Sequence, residues 1–206
     1  MIMTTERRIN QPGLSAKEAA FVTGLSEKTI NQAIDRAEIQ PLPMRRQGDT
    51  ERMLGVGDLV YLRLRNEVGR LLSAEGKRKL RREIGQSVTG KPQPAAVSLG
   101  AIEVTIGPEL TEIEQKLAAI AEVRSFVVSD PEVRAGEPVV RGTRISVYML
   151  ADLARQGAPT EELLEDYPSL TAESLEAALL YARMYPKRGR PRRTPWKDGV
   201  VVSKSA

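Results

Sequence analysis

Five polar side chains within seven residues could hydrogen-bond to the edges of DNA bases: Ser26, Lys28, Thr29, Asn31 and Gln32. Ammonium and amide groups match the acceptors and donors that bases present in the major groove, provided that one helix carries them together. Lys28 and Gln32 are four residues apart and would therefore share one helical face. We expect these two side chains to be the main base contacts.

The elements that must position these side chains are predicted by residues 14–36, LSAKEAAFVTGLSEKTINQAIDR. Ser15 and Glu18 have the spacing of a capping box at the start of a first helix, and Gly24 suits its end. Ser26 would cap a second helix, which gives the spacing of a helix-turn-helix. An ordinary antiparallel helix pair in a protein core remains the alternative, since short helical patterns are not specific.

The following segment predicts a two-stranded wing. Residues 44–46 and 52–54 flank the sequence QGDT, in which Gly48 and Asp49 suit a hairpin turn. Three arginines would lie on this ribbon beside the second helix, where arginines meet phosphates: Arg45, Arg46 and Arg52.

Two further helices are predicted after the wing. Asp58 would cap a helix with an apolar stripe through Leu72, and a basic helix would run from about residue 74 to residue 84. The run KRKLRRE in the second of these fits either a solvated face or a contact with the DNA backbone. At these residues the first 85 or so positions resemble the winged helix-turn-helix of the MerR family, which implies DNA binding as a dimer.

Composition restricts the function classes. The 206 residues include no Cys and no His, which excludes disulfides, thiol nucleophiles, Ser-His triads and Cys/His zinc sites. Asp130, Glu132 and Glu137 could suggest a metal-dependent nuclease, but Asp130 before Pro131 is better explained as a turn former. We therefore expect no catalytic residue, metal or cofactor. No long apolar run or secretory leader is evident, so a cytoplasmic protein is expected.

Charge divides the chain into parts with different partners. Residues 1–90 carry a net charge of +5, residues 91–185 carry −7, and residues 186–206 carry +6. A basic part favours nucleic acid, whereas an acidic part repels it. With the Pro- and Gly-rich segment VTGKPQPAAVSLG as a linker, the predicted parts are a DNA-binding domain 1–87, a linker 88–100, a second domain 101–185 and a tail 186–206.

The second domain is predicted to contain three helices and a small β-ribbon. Apolar pairs at residues 127–128 and 139–140 can pair as strands, and Ser146, Thr160 and Thr171 would each begin a helix. Apolar faces near residues 110–122 and 172–184 exceed the needs of one three-helix core, which predicts a homodimer. The expected fold class is mainly α with short β elements.

The phrase DPEVRAGEPVVRGTRISVYML, together with EELLEDYPSLT and AALLYAR, resembles a family of small bacterial antitoxin domains with an R-G-T-R-[IV] signature. The resemblance covers residues 125–185, and relatives with an N-terminal helix-turn-helix resemble VapB-type antitoxins. It implies a PIN-like ribonuclease toxin as partner and repression of the protein's own operon. The alternative is a stand-alone MerR-like regulator that senses a small molecule.

The tail, PKRGRPRRTPWKDGVVVSKSA, cannot bury a core of its own. KRGRPRR resembles an AT-hook, which would bind the minor groove. The antitoxin resemblance implies instead that arginines oppose the carboxylates of a toxin active site while an aromatic residue anchors the segment, and an unengaged tail is the third possibility. The toxin-binding residues would be Arg188, Arg190, Arg192, Arg193 and Trp196.

Overall fold

The computed structural model describes residues 13–46, 49–65, 67–88 and 95–187. Its helices are α1 Ala16–Thr23, α2 Glu27–Asp35, α3 Val56–Leu64, α4 Ala74–Ser87, α5 Gly107–Phe126, α6 Val147–Arg155, α7 Thr160–Asp166 and α8 Ala172–Met184. Its strands are β1 Leu42–Arg46, β2 Asp49–Met53, β3 Ala96–Ser98, β4 Glu103–Thr105, β5 Val127–Val128 and β6 Val139–Val140. The predicted class, mainly α with short β elements, is confirmed.

Each strand pairs antiparallel with its neighbour in sequence, which gives three two-stranded sheets in the described ranges. In β5–β6, Val127 faces Val140 and Val128 faces Val139, as the apolar pairs predicted. In β1–β2, Arg46 faces Asp49, so Asp49 belongs to the ladder and not to the turn that was predicted to include it. Gly48, the other residue of that predicted turn, lies outside the described residues.

Local capping signals fix the first two helices. The Ser15 hydroxyl accepts a hydrogen bond from the Glu18 amide, and the Glu18 carboxylate accepts one from the Ser15 amide at 2.9 Å, which confirms the capping box. Gly24 ends α1 with a left-handed φ of 71°, a conformation that glycine adopts without strain. Ser26 caps α2 by accepting from the Thr29 amide. These short-range bonds produce the tight turn between α1 and α2.

The start and length of α3 differ from the prediction. The helix begins at Val56 after Gly55, so Asp58 is its third residue and not its N-cap. Its carboxylate still accepts from the Gly55 amide at 3.3 Å, and burial raises the pKa of Asp58. The helix ends at Leu64, and the amides of Glu67 and Val68 in the turn that follows both donate to the Leu64 carbonyl. Leu71, predicted to lie on the apolar stripe, is 83% exposed.

Helix limits farther along the chain follow their caps with one exception. Ser146 and Thr171 cap α6 and α8 as predicted. Thr160 is the first helical residue of α7, and Pro159 precedes it in extended conformation as the N-cap, so the predicted cap is wrong by one residue. Helix α4 continues to Ser87, beyond the predicted end at residue 84.

Helix α5 joins the N-terminal part to the rest of the molecule. It packs against α1 and α3 on one side and against α8 on the other, and its buried residues include Leu110, Ile113 and Ile120. Strand β3, inside the predicted linker 88–100, contacts α4. The apolar face of α5 is thus covered within one chain. This packing uses the apolar face of α5 from which the dimer was partly predicted, and the dimer stays a prediction.

Gly69 lies in the turn after α3, where the backbone leaves no space for a side chain. A Cβ at this position would overlap with the carbonyl oxygen of Arg65, to which the Gly69 amide donates. We expect Gly69→Ala to lower the free energy of unfolding by about 1–3 kcal/mol, the usual cost of overpacking. Gly85→Ala is the matched control, because no atom lies within 4 Å of its Cβ position in α4 and alanine favours helix. Urea unfolding of both variants measures the difference, and equal stabilities would contradict the expectation.

Candidate nucleic-acid interface and adjoining cleft

Helix α2 presents a polar surface while its other face is buried. Ile30 and Ala33 are completely buried among the residues of the N-terminal core. Lys28, Asn31 and Gln32 are exposed, as predicted for base contacts. Helix α2 is therefore packed on the core through one face, and its other face is exposed to solvent.

Ser26 and Thr29 are engaged at the beginning of α2. Their hydroxyl groups lie 2.8 Å apart, and the Ser26 hydroxyl also accepts from the Thr29 amide. The Ser26 side chain is exposed and Thr29 is half-buried. Both side chains therefore stabilise the helix start as well as bordering the open surface.

The β1–β2 hairpin follows α2 at the place where a wing was predicted. Arg45 and Arg46 lie in β1, where the pairing partner of Arg45 is Thr50, but their side chains lie outside the described part of the structure. Arg52, in β2, is exposed and its guanidinium donates to the Asp35 carboxylate of α2 at 3.3 Å. Such an exposed pair is weak, about 0–1 kcal/mol, so Arg52 can exchange this partner for another anion.

A cleft of about 1000 Å³ opens beside α2. Its walls come from the first turn of α1, from α2, and from the C-terminal ends of α5 and α8. Glu27, Asn31 and Asp35 line it from α2. One edge of the exposed α2 surface therefore faces the cleft, whereas Lys28 and Gln32 are not among its lining residues. Reasoning from the sequence alone missed this cleft, because its walls come from distant segments.

A buried ion pair fixes one wall of the cleft. Glu18 of α1 is only 3% exposed, and its carboxylate accepts from Nε and Nη2 of Arg124 in α5, at 3.2 and 2.8 Å. Near the other end of α1, the Lys116 ammonium donates to the Val22 carbonyl at 3.1 Å. These contacts join α1 to α5 at two points.

The segment from β5 to α8 is similar in sequence to a known protein family. Residues 127–182 match the DUF433 family. The description of that family is "Protein of unknown function (DUF433)". Over a longer stretch, the chain is similar to "Uncharacterized protein y4eO" of Sinorhizobium fredii, with 29% identity over 187 residues that cover 87% of this chain and 84% of that protein. We call residues 127–182 the DUF433 region.

Two solved structures are also similar. A crystal structure of a DUF433 member protein from Anabaena variabilis is 39% identical, covers 36% of this chain and 73% of its own, and has a TM-score of 0.30. The crystal structure of Rv2018 from Mycobacterium tuberculosis is 17% identical, covers 82% of this chain and 98% of its own, and has a TM-score of 0.33.

The signature arginine of the DUF433 region has a structural partner. Arg141 donates from Nε to the Ser125 carbonyl at 2.6 Å and from Nη2 to the Arg124 carbonyl at 3.2 Å. These carbonyls belong to the last turn of α5, where a cation is favourable. Arg141 also lines the cleft, so it links the DUF433 region to that wall.

Two acids of the DUF433 region that could suggest a metal site have hydrogen-bond partners within the protein. Asp130 accepts from the Glu132 amide at 2.9 Å, as a turn former does. Glu137 accepts from the Ser146 hydroxyl at 2.5 Å and from Arg134 at 2.9 Å, and these bonds lower the pKa of Glu137. Among the described residues, no group of three or more acidic side chains is arranged to hold a metal ion.

Two further expectations can be compared with the described ranges. None of the helices there combines the length and apolar character needed to cross a bilayer. The predicted toxin-binding residues lie outside the described residues: Arg188, Arg190, Arg192, Arg193 and Trp196.

Proposed function

We propose that this protein is the antitoxin of a type II toxin–antitoxin system, which inhibits a PIN-like ribonuclease toxin and represses its own operon. The observation that carries the proposal is the arrangement of α2, which is buried on one side and exposes Lys28 and Gln32 on the other. A two-stranded wing follows it directly. A recognition helix beside a wing is a common way to enter the major groove.

In this proposal the exposed residues have separate roles. Lys28 and Gln32 contact bases, with Asn31 beside them and Ser26 and Thr29 at the helix start. The wing arginines, Arg45, Arg46 and Arg52, contact phosphates, which position the protein without distinguishing sequences. The protein acts as a dimer on two half-sites, as the resemblance to the MerR family implies. No catalytic residue or cofactor is assigned.

The toxin-binding part of the proposal is supported by sequence. The R-G-T-R-I motif and its surroundings resemble antitoxin domains, and the strongly basic tail is suited to a carboxylate-rich active site. Both partners, operator DNA and a ribonuclease, would be met in the cytoplasm. The proposal therefore places the protein there.

A stand-alone ligand-responsive regulator is the second candidate, and the cleft beside α2 favours it. A volume of about 1000 Å³ is within the range of small-molecule sites. The neighbouring open reading frame distinguishes the two candidates. A small PIN-like gene whose product copurifies with this protein supports the antitoxin, and its absence favours the regulator.

Base contact by α2 is tested by alanine substitution. We expect Lys28→Ala or Gln32→Ala to weaken operator binding by about 1–3 kcal/mol while nonspecific DNA binding changes much less. Gln156→Ala, an exposed glutamine at the end of α6, is the matched control and should leave both affinities unchanged. Affinities for operator and scrambled DNA are measured at one salt concentration. An equal loss on both DNAs would exclude base contact by these residues.

A further inference from the structure

The described chain ends beside the cleft, on an aromatic surface. Tyr185, the residue after α8, lines the cleft, and its carbonyl accepts from the Tyr148 hydroxyl at 2.9 Å. Two residues later, the Lys187 ammonium lies 5.6 Å from the centre of the Tyr148 ring. The basic tail therefore starts at the cleft.

This aromatic surface already contacts cations. Tyr181 packs against Tyr148 and Tyr185, with ring centres 6.4 and 4.9 Å away. The Lys17 ammonium lies 5.4 Å from the centre of the Tyr185 ring, and burial raises the pKa of Tyr185. Arginine stacks on such rings more readily than lysine does. The tyrosines are thus suited to the arginines that follow residue 187.

The cleft beyond the tyrosines offers acceptors and an apolar floor. The four cations that line it have partners within the fold: Arg124 binds Glu18, Arg52 binds Asp35, Arg141 binds the end of α5, and Lys17 lies over the Tyr185 ring. Helices α5 and α8 both end at the cleft, where their carbonyl ends carry partial negative charge. Its apolar lining includes Ile120, Val123 and Met184. A segment with cations and one large apolar side chain fits this surface.

The tail has this composition. Residues 188–196 contain four arginines and the only tryptophan of the chain, Trp196. At about 3.3 Å per extended residue, Trp196 can reach roughly 30 Å from Lys187. A tethered segment this short is present at an effective concentration in the millimolar range. Weak individual contacts therefore suffice for occupancy.

We propose that the cleft binds residues 188–196 of the same chain. Trp196 packs on the apolar floor, and the arginines contact the tyrosines and the acidic edge of α2 formed by Glu27 and Asp35. The bound segment covers that edge of α2. If α2 reads DNA, which rests on the proposed function, segment and operator compete, and a partner that captures the tail releases α2.

The single tryptophan allows a direct test that does not depend on DNA binding. In the full chain, we expect Trp196 emission to be blue-shifted, and its acrylamide quenching constant to be at least about twofold smaller, relative to a free peptide of residues 186–206. Glu27→Gln combined with Asp35→Asn should move both values toward those of the peptide. Glu176→Gln with Glu173→Gln, two exposed acids of α8 outside the cleft, is the matched control and should change neither value.

Three results would overturn the proposal. Trp196 as accessible as in the peptide would show that the segment is not bound, and protection that the cleft variants leave unchanged would place it elsewhere. Protection that increases with protein concentration would assign it to a second copy. Operator binding is measured as a separate test. If the segment is docked about 90% of the time, deletion of residues 188–206 should tighten operator binding about tenfold. If neither form binds operator, the proposed function fails while the fluorescence result stands.

Discussion

Arg124→Ala is expected to lower the free energy of unfolding by about 3–5 kcal/mol, the usual loss when one partner of a buried ion pair is removed. Glu18 is only 3% exposed, and without the guanidinium its buried carboxylate would keep neutral donors, among them the Ser15 amide and hydroxyl. This pair joins α1 to α5, so its loss also removes one of the two polar contacts described between these helices. Urea unfolding of the whole chain measures the change.

A second arginine serves as control for Arg124. Arg63 of α3 pairs with Glu112 of α5, whose side chain is 43% exposed. Water can replace the guanidinium there, so Arg63→Ala should cost under about 1 kcal/mol. Glu18→Gln with Arg124→Met should cost less than Arg124→Ala alone, since no buried charge remains. A loss of the same size in Arg63→Ala and Arg124→Ala would show that burial of Glu18 is not the cause.

Local features of the fold followed from sequence. Ser15, Gly24 and Ser26 each hydrogen-bond to a backbone group within four residues, so a short segment contains the whole interaction. The pairing of β5 with β6 was predicted for a similar reason, because only two apolar valine pairs flank that loop. Asp58 shows the limit of such signals. Its carboxylate does bond to the helix start, but from the third helical position instead of the cap.

Contacts between distant segments were not predictable in the same way. Glu18 and Arg124 are 106 residues apart in the chain. The capping box with Ser15 already accounted for Glu18, so nothing in the sequence indicated a second partner. Arg141 binds the carbonyls that end α5, 16 and 17 residues before it in the chain. Both arginines position the wall of the cleft. The residues that form this candidate site therefore became visible only with the helix packing, whereas the exposed residues of α2 followed from periodicity.

The largest functional effect is expected from the tail. Deletion of residues 188–206 should restore the ribonuclease activity of a PIN-like toxin even in the presence of the truncated protein, because the arginines that oppose its carboxylates are gone. Toxin activity is assayed on RNA with a fixed toxin concentration and increasing amounts of full-length or truncated protein. Inhibition by the truncated protein at the same concentrations would contradict toxin binding by the tail.

Point substitutions separate an anchored tail from a merely basic one. Trp196→Ala should weaken inhibition by at least about 2 kcal/mol, or about 30-fold, since a desolvated aromatic anchor concentrates binding energy. Lys204→Ala, at the rim, should cost under about 1 kcal/mol. The minor-groove alternative expects the opposite pattern: truncation weakens binding to A·T-rich operator flanks and leaves inhibition intact. If the same tail occupies the cleft in the free protein, toxin capture and operator binding should reinforce each other, because a ligand that removes the tail from α2 favours the form that binds DNA.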